Sequence, residues 1–229
     1  MVRLLSAAML LIVALSNAAS AQNSIYQATL SEVGQRTKEV STEQLRVILA
    51  ENSAVVLDTR PRAEFVGGHI PTAHNVDGPA STAIAAVQSL VNGDKTKPLV
   101  LYCNGPFCQA SRRLADQLVD AGFTNVRRYQ LGMPIWRALG GPTEIELEGV
   151  VRVFAADKTA VYFDARSTDE FSKGSIPGAK NVPADTIPSG GVQKAPMPQE
   201  DFNTRIILFG RDAPQARALA GCLYQAPLA

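Results

Sequence analysis

The side chains best placed to do chemistry lie between Leu99 and Leu118. An apolar run, Leu99-Val100-Leu101-Tyr102, stops at Cys103. Asn104, Gly105, Pro106, Phe107, Cys108, Gln109, Ala110 and Ser111 follow, and leucines then recur at helical spacing at 114 and 118. The pattern predicts a strand, a loop and a helix, with a thiol at the turn. In such a turn, successive loop N–H groups and the unpaired N–H groups that open the helix can converge on one anionic atom. A thiolate or persulfide on Cys103 would be stabilised there. A free cysteine has a pKa of about 8.5, and a helix start lowers it by roughly one to several units. The competing reading is a buried structural thiol.

The chain has three cysteines, an odd number. In an exported protein at least one is then free or paired between molecules. Cys108 stands five residues after Cys103 and is the candidate redox partner; the spacing leaves open whether the two are bonded. Cys222, beside Leu223 in an apolar helical stretch, reads as core. His69 and His74 are candidate bases, with loop packing or exposure the favoured roles. No paired metal-ligand spacing occurs, so neither a metal site nor a cofactor is expected.

The elements that must position Cys103 are legible on both sides of it. Met1–Ala21 has one charge, Arg3, an apolar core from Ala7 to Leu15, and Ala19-Ser20-Ala21 before Gln22. These are the marks of a secretory signal peptide, whose core is shorter than the about 20 residues of a spanning helix. Its removal leaves 21 basic and 21 acidic residues. That balance, without a basic run, argues against nucleic acid or an anionic membrane as partner. Residues 22–37 read as a polar arm. Ser41-Thr42-Glu43-Gln44 has the form of a capping box, with Val40 and Leu45 as a hydrophobic staple, opening a helix to about Asn52. A buried strand over 54–57, a Gly- and Pro-rich loop over 62–77 and a helix over 84–91 precede the central unit. A strand over 125–129 and a helix carrying Trp136 follow it. Strands alternating with helices imply a mostly parallel sheet covered on both faces, with reactive loops at the carboxyl ends of strands.

The chain also repeats itself. Val55–Val76 matches Val161–Val182 at a constant offset of 106 residues, pairing Asp58 with Asp164, Arg60 with Arg166, and Glu64-Phe65 with Glu170-Phe171. This marks a duplicated domain. The boundary falls near Gly140-Gly141-Pro142, with Thr143 and Glu146 offering a second capping box. Gly210 stands where Cys103 stands, so the second copy lacks the nucleophile. Asp58, Arg60, Glu64 and Phe65 recur in that copy and are therefore assigned to structural support. His69 and His74 are replaced there by Ser175 and Lys180.

Asp58-x-Arg60 with Glu64-Phe65, Gly68-His69-Ile70-Pro71-x-Ala73-x-Asn75, Tyr102-Cys103, Ala121-Gly122-Phe123-x-Asn125-Val126 and Gly132 through Trp136 together resemble a tandem rhodanese-like protein. The resemblance implies an α/β fold of two rhodanese-like domains, at 38–141 and 142–229. Each is a central, mostly parallel sheet flanked by helices, and the second is truncated or degenerate. It implies that Cys103 takes a sulfane sulfur from a thiosulfate- or persulfide-type donor and passes it to a thiol or cyanide-like acceptor, with residues 104–111 as the persulfide loop. Two departures bear on donor preference. The family's loop usually sets its serine two positions nearer the cysteine than Ser111 is to Cys103, and Cys108 and Gln109 occupy the region where an arginine often stands.

The alternatives are a thiol-redox protein using Cys103 and Cys108, or a non-enzymatic binding module, for which the second domain would have a protein partner. Phosphatase or arsenate chemistry would need an arginine closing the loop; Arg112 and Arg113 come too late. A periplasmic or secreted location is expected, with cleavage after Ala21. The intact mass of the exported protein should begin at Gln22, and a species retaining Met1 would contradict this.

Overall fold

The computed structural model describes residues 34–186, 196–198 and 204–223. The expected signal segment and most of the arm lie outside the described residues. In the first domain β1 (Lys38–Glu39), β2 (Val55–Asp58), β3 (His74–Asn75), β4 (Leu99–Tyr102) and β5 (Val126–Tyr129) form one sheet in the order β1-β5-β4-β2-β3. All neighbours are parallel, and β4 pairs Leu99 with Val55 and Tyr102 with Asp58. The central strands are buried on both faces, which accounts for their nearly continuous apolar sequence. Val56, Val100 and Tyr102 face α1 (Thr42–Glu51), α2 (Arg62–Val66) and α5 (Gly132–Ala138), packing with Leu45, Ile48, Phe65, Met133 and Trp136. Leu57, Leu99 and Leu101 face α3 (Ala80–Leu90) and α4 (Ala110–Asp120), packing with Val87, Leu114, Ala115 and Leu118.

Local signals set several of these boundaries. The Ser41 hydroxyl accepts from the Gln44 N–H while the Gln44 side chain accepts from the Ser41 N–H, which completes the capping box of α1. Val40 and Leu45 are buried in one cluster, as a staple requires. Two expectations are corrected. The loop over 62–77 contains a single-turn helix, α2, too short to show apolar periodicity. The capping box expected from Thr143 and Glu146 does not form: α6 (Leu147–Ala156) begins after Glu146 without a side-chain cap. Glu144 instead joins an antiparallel bridge with His69, each accepting the other's N–H at 2.9 Å, and Glu146 pairs with Arg62.

The second domain has a three-stranded parallel sheet in the order β7-β6-β8, formed by β6 (Val161–Asp164), β7 (Lys180–Asn181) and β8 (Ile206–Phe209). Its helices are α6, α7 (Thr168–Ser172) and α8 (Ala213–Leu223), with a 3-10 turn at Ala184–Thr186. Cys222 is free and packs, partly buried, against the cluster of Phe163, Leu219 and Leu223. Glu144 binds Arg217 of α8 and accepts from the Thr72 N–H at 3.0 Å, so one carboxylate holds both domains.

The loop that starts at Cys103 rests on α5. The Met133 N–H donates to the Cys103 carbonyl at 2.9 Å. Gly132, at φ 65°, leaves no room for a side chain: a Cβ there would lie 2.4 Å from both the Cys103 oxygen and the Gly105 nitrogen. Gly132→Ala should therefore displace the loop and destabilise the protein by about 2 kcal/mol or more. A denaturant midpoint equal to that of the wild type would contradict this.

Candidate functional site

The site is assembled where β2 and β4 end side by side. Asp58 and Tyr102 are register partners, and both are fully buried. The Tyr102 hydroxyl donates to Asp58 Oδ2 at 2.5 Å and accepts from the Ile70 N–H at 3.0 Å. Arg60 donates through Nη2 to Asp58 Oδ2 at 2.6 Å and to the Gly68 carbonyl at 2.8 Å, and through Nε to Asp58 Oδ1 at 3.0 Å. Burial opposes the Arg60 charge, yet Asp58 and then Tyr102 leave its pKa above the ordinary arginine value. The Thr59 hydroxyl and N–H both donate to the Tyr102 carbonyl, at 2.9 and 3.1 Å. The residue before Cys103 is thus held through its side chain and its backbone.

Cys103, only 3% exposed, opens the loop. Asn104 donates to Glu64 Oε2 at 2.7 Å, and Glu64 lies 3.8 Å from Arg60 Nη1. Gly105, at φ 109°, begins a turn closed by the Cys108 N–H donating to the Gly105 carbonyl at 3.0 Å. Pro106 sits second in this turn, where its fixed φ suits it, and Phe107 is 64% exposed at the tip. The turn brings Cys108 back over Cys103. Their Cα atoms are 6.2 Å apart, within disulfide reach, and the sulfurs are bonded. Gln109 precedes α4, Ala110 begins it, and Ser111 is buried in its first turn.

Glu64 makes a contact with the loop that the repeat conceals. Its recurrence as Glu170 suggests scaffold, yet both carboxylates reach the residue that follows Cys103 or Gly210: Glu64 holds Asn104, and Glu170 lies 3.3 Å from Arg211. The paired polar residues at 104 and 211 were the available signal. His69 is buried, with Nδ1 2.9 Å from the Phe65 carbonyl and its ring stacked on Phe65 at 3.7 Å. That is a packing role. His74 is exposed on β3 and lines a cleft of about 510 Å³ at the amino ends of β2 and β4, far along the sheet from the loop. A cleft of about 480 Å³ flanks α4 beside Ala110 and Arg113. Cys103 lines neither. Among the described residues no cluster could hold a metal ion, and no helix is long and apolar enough to cross a membrane.

The second copy keeps the buried pair and has no cysteine at the position of Cys103. Arg166 grips Asp164 as Arg60 grips Asp58, at 2.6 Å, and the Ser175 hydroxyl donates to Asp164 at 2.7 Å in place of the missing tyrosine. Burial works against the Asp164 charge, but Arg166 and Ser175 hold its pKa below the usual carboxylate value. At Gly210 a Cβ would meet Gln215 Oε1 at 2.7 Å, and that oxygen accepts from the Arg211 N–H at 2.9 Å. A neutral side chain fills the place a sulfur would take.

A family model described as the rhodanese-like domain matches residues 41–139 and 152–227. The chain belongs to the rhodanese-like family. Among curated relatives of this rhodanese-like chain, the thiosulfate sulfurtransferase GlpE of Pseudomonas savastanoi pv. phaseolicola is 32% identical over 101 residues, covering 44% of this chain and 88% of the relative. The HTH-type transcriptional regulator Rv0324 of Mycobacterium tuberculosis is 34% identical over 89 residues, covering 39% of this chain and 37% of the relative. The adenylyltransferase and sulfurtransferase UBA4 of Candida albicans is 26% identical over 111 residues, covering 48% of this chain and 25% of the relative. The chain thus spans a minor part of the last two relatives. Among solved structures, thiosulfate sulfurtransferase from Pseudomonas aeruginosa matches at a TM-score of 0.42 and 20% identity, over 87% of this chain and 43% of that one. The Alr3790 protein from Anabaena matches at 0.41 and 26%, over 51% of this chain and 87% of that one.

Tyr102 links the support to the loop, and its pKa is raised, chiefly by burial and then by Asp58. Removing its hydroxyl leaves the Ile70 N–H without its acceptor and Asp58 with one donor fewer. Tyr102→Phe should cost about 1–3 kcal/mol, read as a lower urea midpoint. Above about pH 10 the unfolded chain loses this proton while the folded chain keeps it, so wild-type stability falls as pH rises. The variant should show a shallower alkaline decline; an unchanged slope would contradict the assignment.

Proposed function

We propose that the first domain is a sulfurtransferase acting through a persulfide on Cys103. The observation that carries the reading is the placement of Cys103 at the carboxyl end of the central strand, between the Asp58–Arg60–Tyr102 network and the start of α4. With a thiosulfate-type donor, the Cys103 thiolate attacks the outer sulfur and sulfite leaves with the electron pair of the broken bond. The loop supports the anionic persulfide, because N–H groups at the opening of α4 have no partner within the helix. Arg137 adds positive charge near this end of the sheet; burial, then Arg60 and Arg205, keep its pKa below the ordinary value. A thiol or cyanide-like acceptor then removes the outer sulfur and regenerates the thiolate.

The relatives named as thiosulfate sulfurtransferases support the choice of donor class. The second domain is proposed as a scaffold or binding module for a protein partner, since Gln215 fills its loop. The marks of a signal peptide support an exported, periplasmic or secreted protein. A second reading, a thiol-redox protein, is favoured by the Cys103–Cys108 bond. It would lose its function with either cysteine, because the second thiol must resolve the mixed disulfide.

The test is sulfur transfer from thiosulfate to cyanide after reduction by a dithiol, since the bonded Cys103 cannot attack. Cys103→Ser should lose the activity, a hydroxyl being a far weaker nucleophile toward sulfur at neutral pH. Cys108→Ser and Cys222→Ser should retain most of it. Turnover by Cys103→Ser would refute the mechanism, and loss of transfer in Cys108→Ser would favour the redox reading.

A further inference from the structure

Sulfur transfer to an outside acceptor uses one thiol, yet the loop carries two. From Cys103 to the first residue of α4, Ala110, is seven positions, whereas from Gly210 to the first residue of α8, Ala213, is three. The first loop is longer by four residues, the length of the turn Gly105-Pro106-Phe107-Cys108. That turn is closed by its own hydrogen bond and sets the Cys108 sulfur against the Cys103 sulfur. The copy that lacks the nucleophile lacks both the turn and the second thiol.

Resting on the sulfur-transfer reading, we propose that Cys108 is a catalytic residue that resolves the Cys103 persulfide, so that the domain reduces sulfane sulfur to hydrogen sulfide at the expense of an external dithiol. Cys108 attacks the Cys103 Sγ. The bond between that sulfur and the outer sulfur breaks, and its electron pair leaves on the outer sulfur. The Cys108 proton ends on this sulfur, which departs as hydrosulfide. The Cys103–Cys108 bond forms. Two thiol sulfurs are thereby oxidised to a disulfide, and one zero-valent sulfur is reduced to sulfide. A dithiol then reopens the bond and is itself oxidised to a disulfide.

Exposure sets the direction of that last step. Cys103 is 3% exposed, whereas Cys108 is only half-buried beside the exposed Phe107. An incoming dithiol therefore meets the Cys108 sulfur, and the leaving group is the Cys103 thiolate. A leaving thiolate stabilised by its loop departs faster, and its departure restores the nucleophile for the next donor. The resolving step is intramolecular, between groups the turn already holds together, so it outruns attack by dilute external thiols.

The test compares reduced wild-type protein with Cys108→Ser. Each is freed of dithiol, mixed with thiosulfate, and followed by sulfide detection and by mass mapping of the loop peptide. The wild type should release one sulfide per chain and end with the 103–108 bond. Cys108→Ser should release none and keep its persulfide at least about tenfold longer. Cys108→Ala, run in parallel, should behave as Cys108→Ser does, and the wild-type stoichiometry needs no variant. Equal persulfide lifetimes, or sulfide release without the 103–108 bond, would overturn the proposal. If neither protein forms a persulfide, the sulfur-transfer reading fails and the resolving role fails with it.

Discussion

The buried pair of Asp58 and Arg60 is the interaction on which the site depends. With Asp58 fully buried and the Arg60 side chain 3% exposed, neither charge has water to fall back on. Breaking such a pair from one side typically costs about 3–5 kcal/mol. Its bonds run outward to three segments that are distant in sequence. Arg60 holds the Gly68 carbonyl, Tyr102 ties the end of β4 to Asp58 and to Ile70, and Asn75 donates to the Asp58 and Arg60 carbonyls at 3.2 and 2.8 Å. Cys103 follows directly from this anchored point. Its position is therefore fixed by the sheet and its buried charges, whereas the loop beyond it differs in length between the two copies.

The second domain shows which parts of this arrangement are separable. Its Asp164–Arg166 pair is intact, although the Arg166 side chain is 23% exposed and the hydroxyl donor has moved from the strand to Ser175. Phe209 occupies the register position of Tyr102 and brings no hydroxyl. The fold thus tolerates exchange of the third member of the network provided Asp164 keeps its donors. Where Gly210 stands in place of Cys103 the loop's spare length is also gone, and Gln215 takes over the Arg211 N–H. The two copies share one buried-pair design, and Glu144 bonds to both.

Much of this was legible in the sequence because it rests on local physics. The capping box at Ser41, the apolar runs 54–57 and 99–102, and the offset of 106 residues each report an interaction within a short stretch or a duplicated one. What escaped depends on partners elsewhere in the chain. β1 is two residues long and exists only because it pairs with β5. The Thr143–Glu146 box lost to bonds with His69 and Arg62, which no local pattern reveals. Glu64 looked like scaffold because it recurs, and only the fold shows its carboxylate on Asn104. Cysteine spacing left the 103–108 pairing open; the turn from Gly105 to Cys108 brings the two residues together.

The central claim is that Cys103 itself takes up the sulfur. The direct measurement is rapid-quench peptide mapping of the reduced protein after mixing with thiosulfate labelled in its outer sulfur, with fragmentation to separate Cys103 from Cys108. The account predicts that label appears first on Cys103, with sulfite released in equal amount. Label appearing first on Cys108 or Cys222, or no protein-bound label at all, would contradict it.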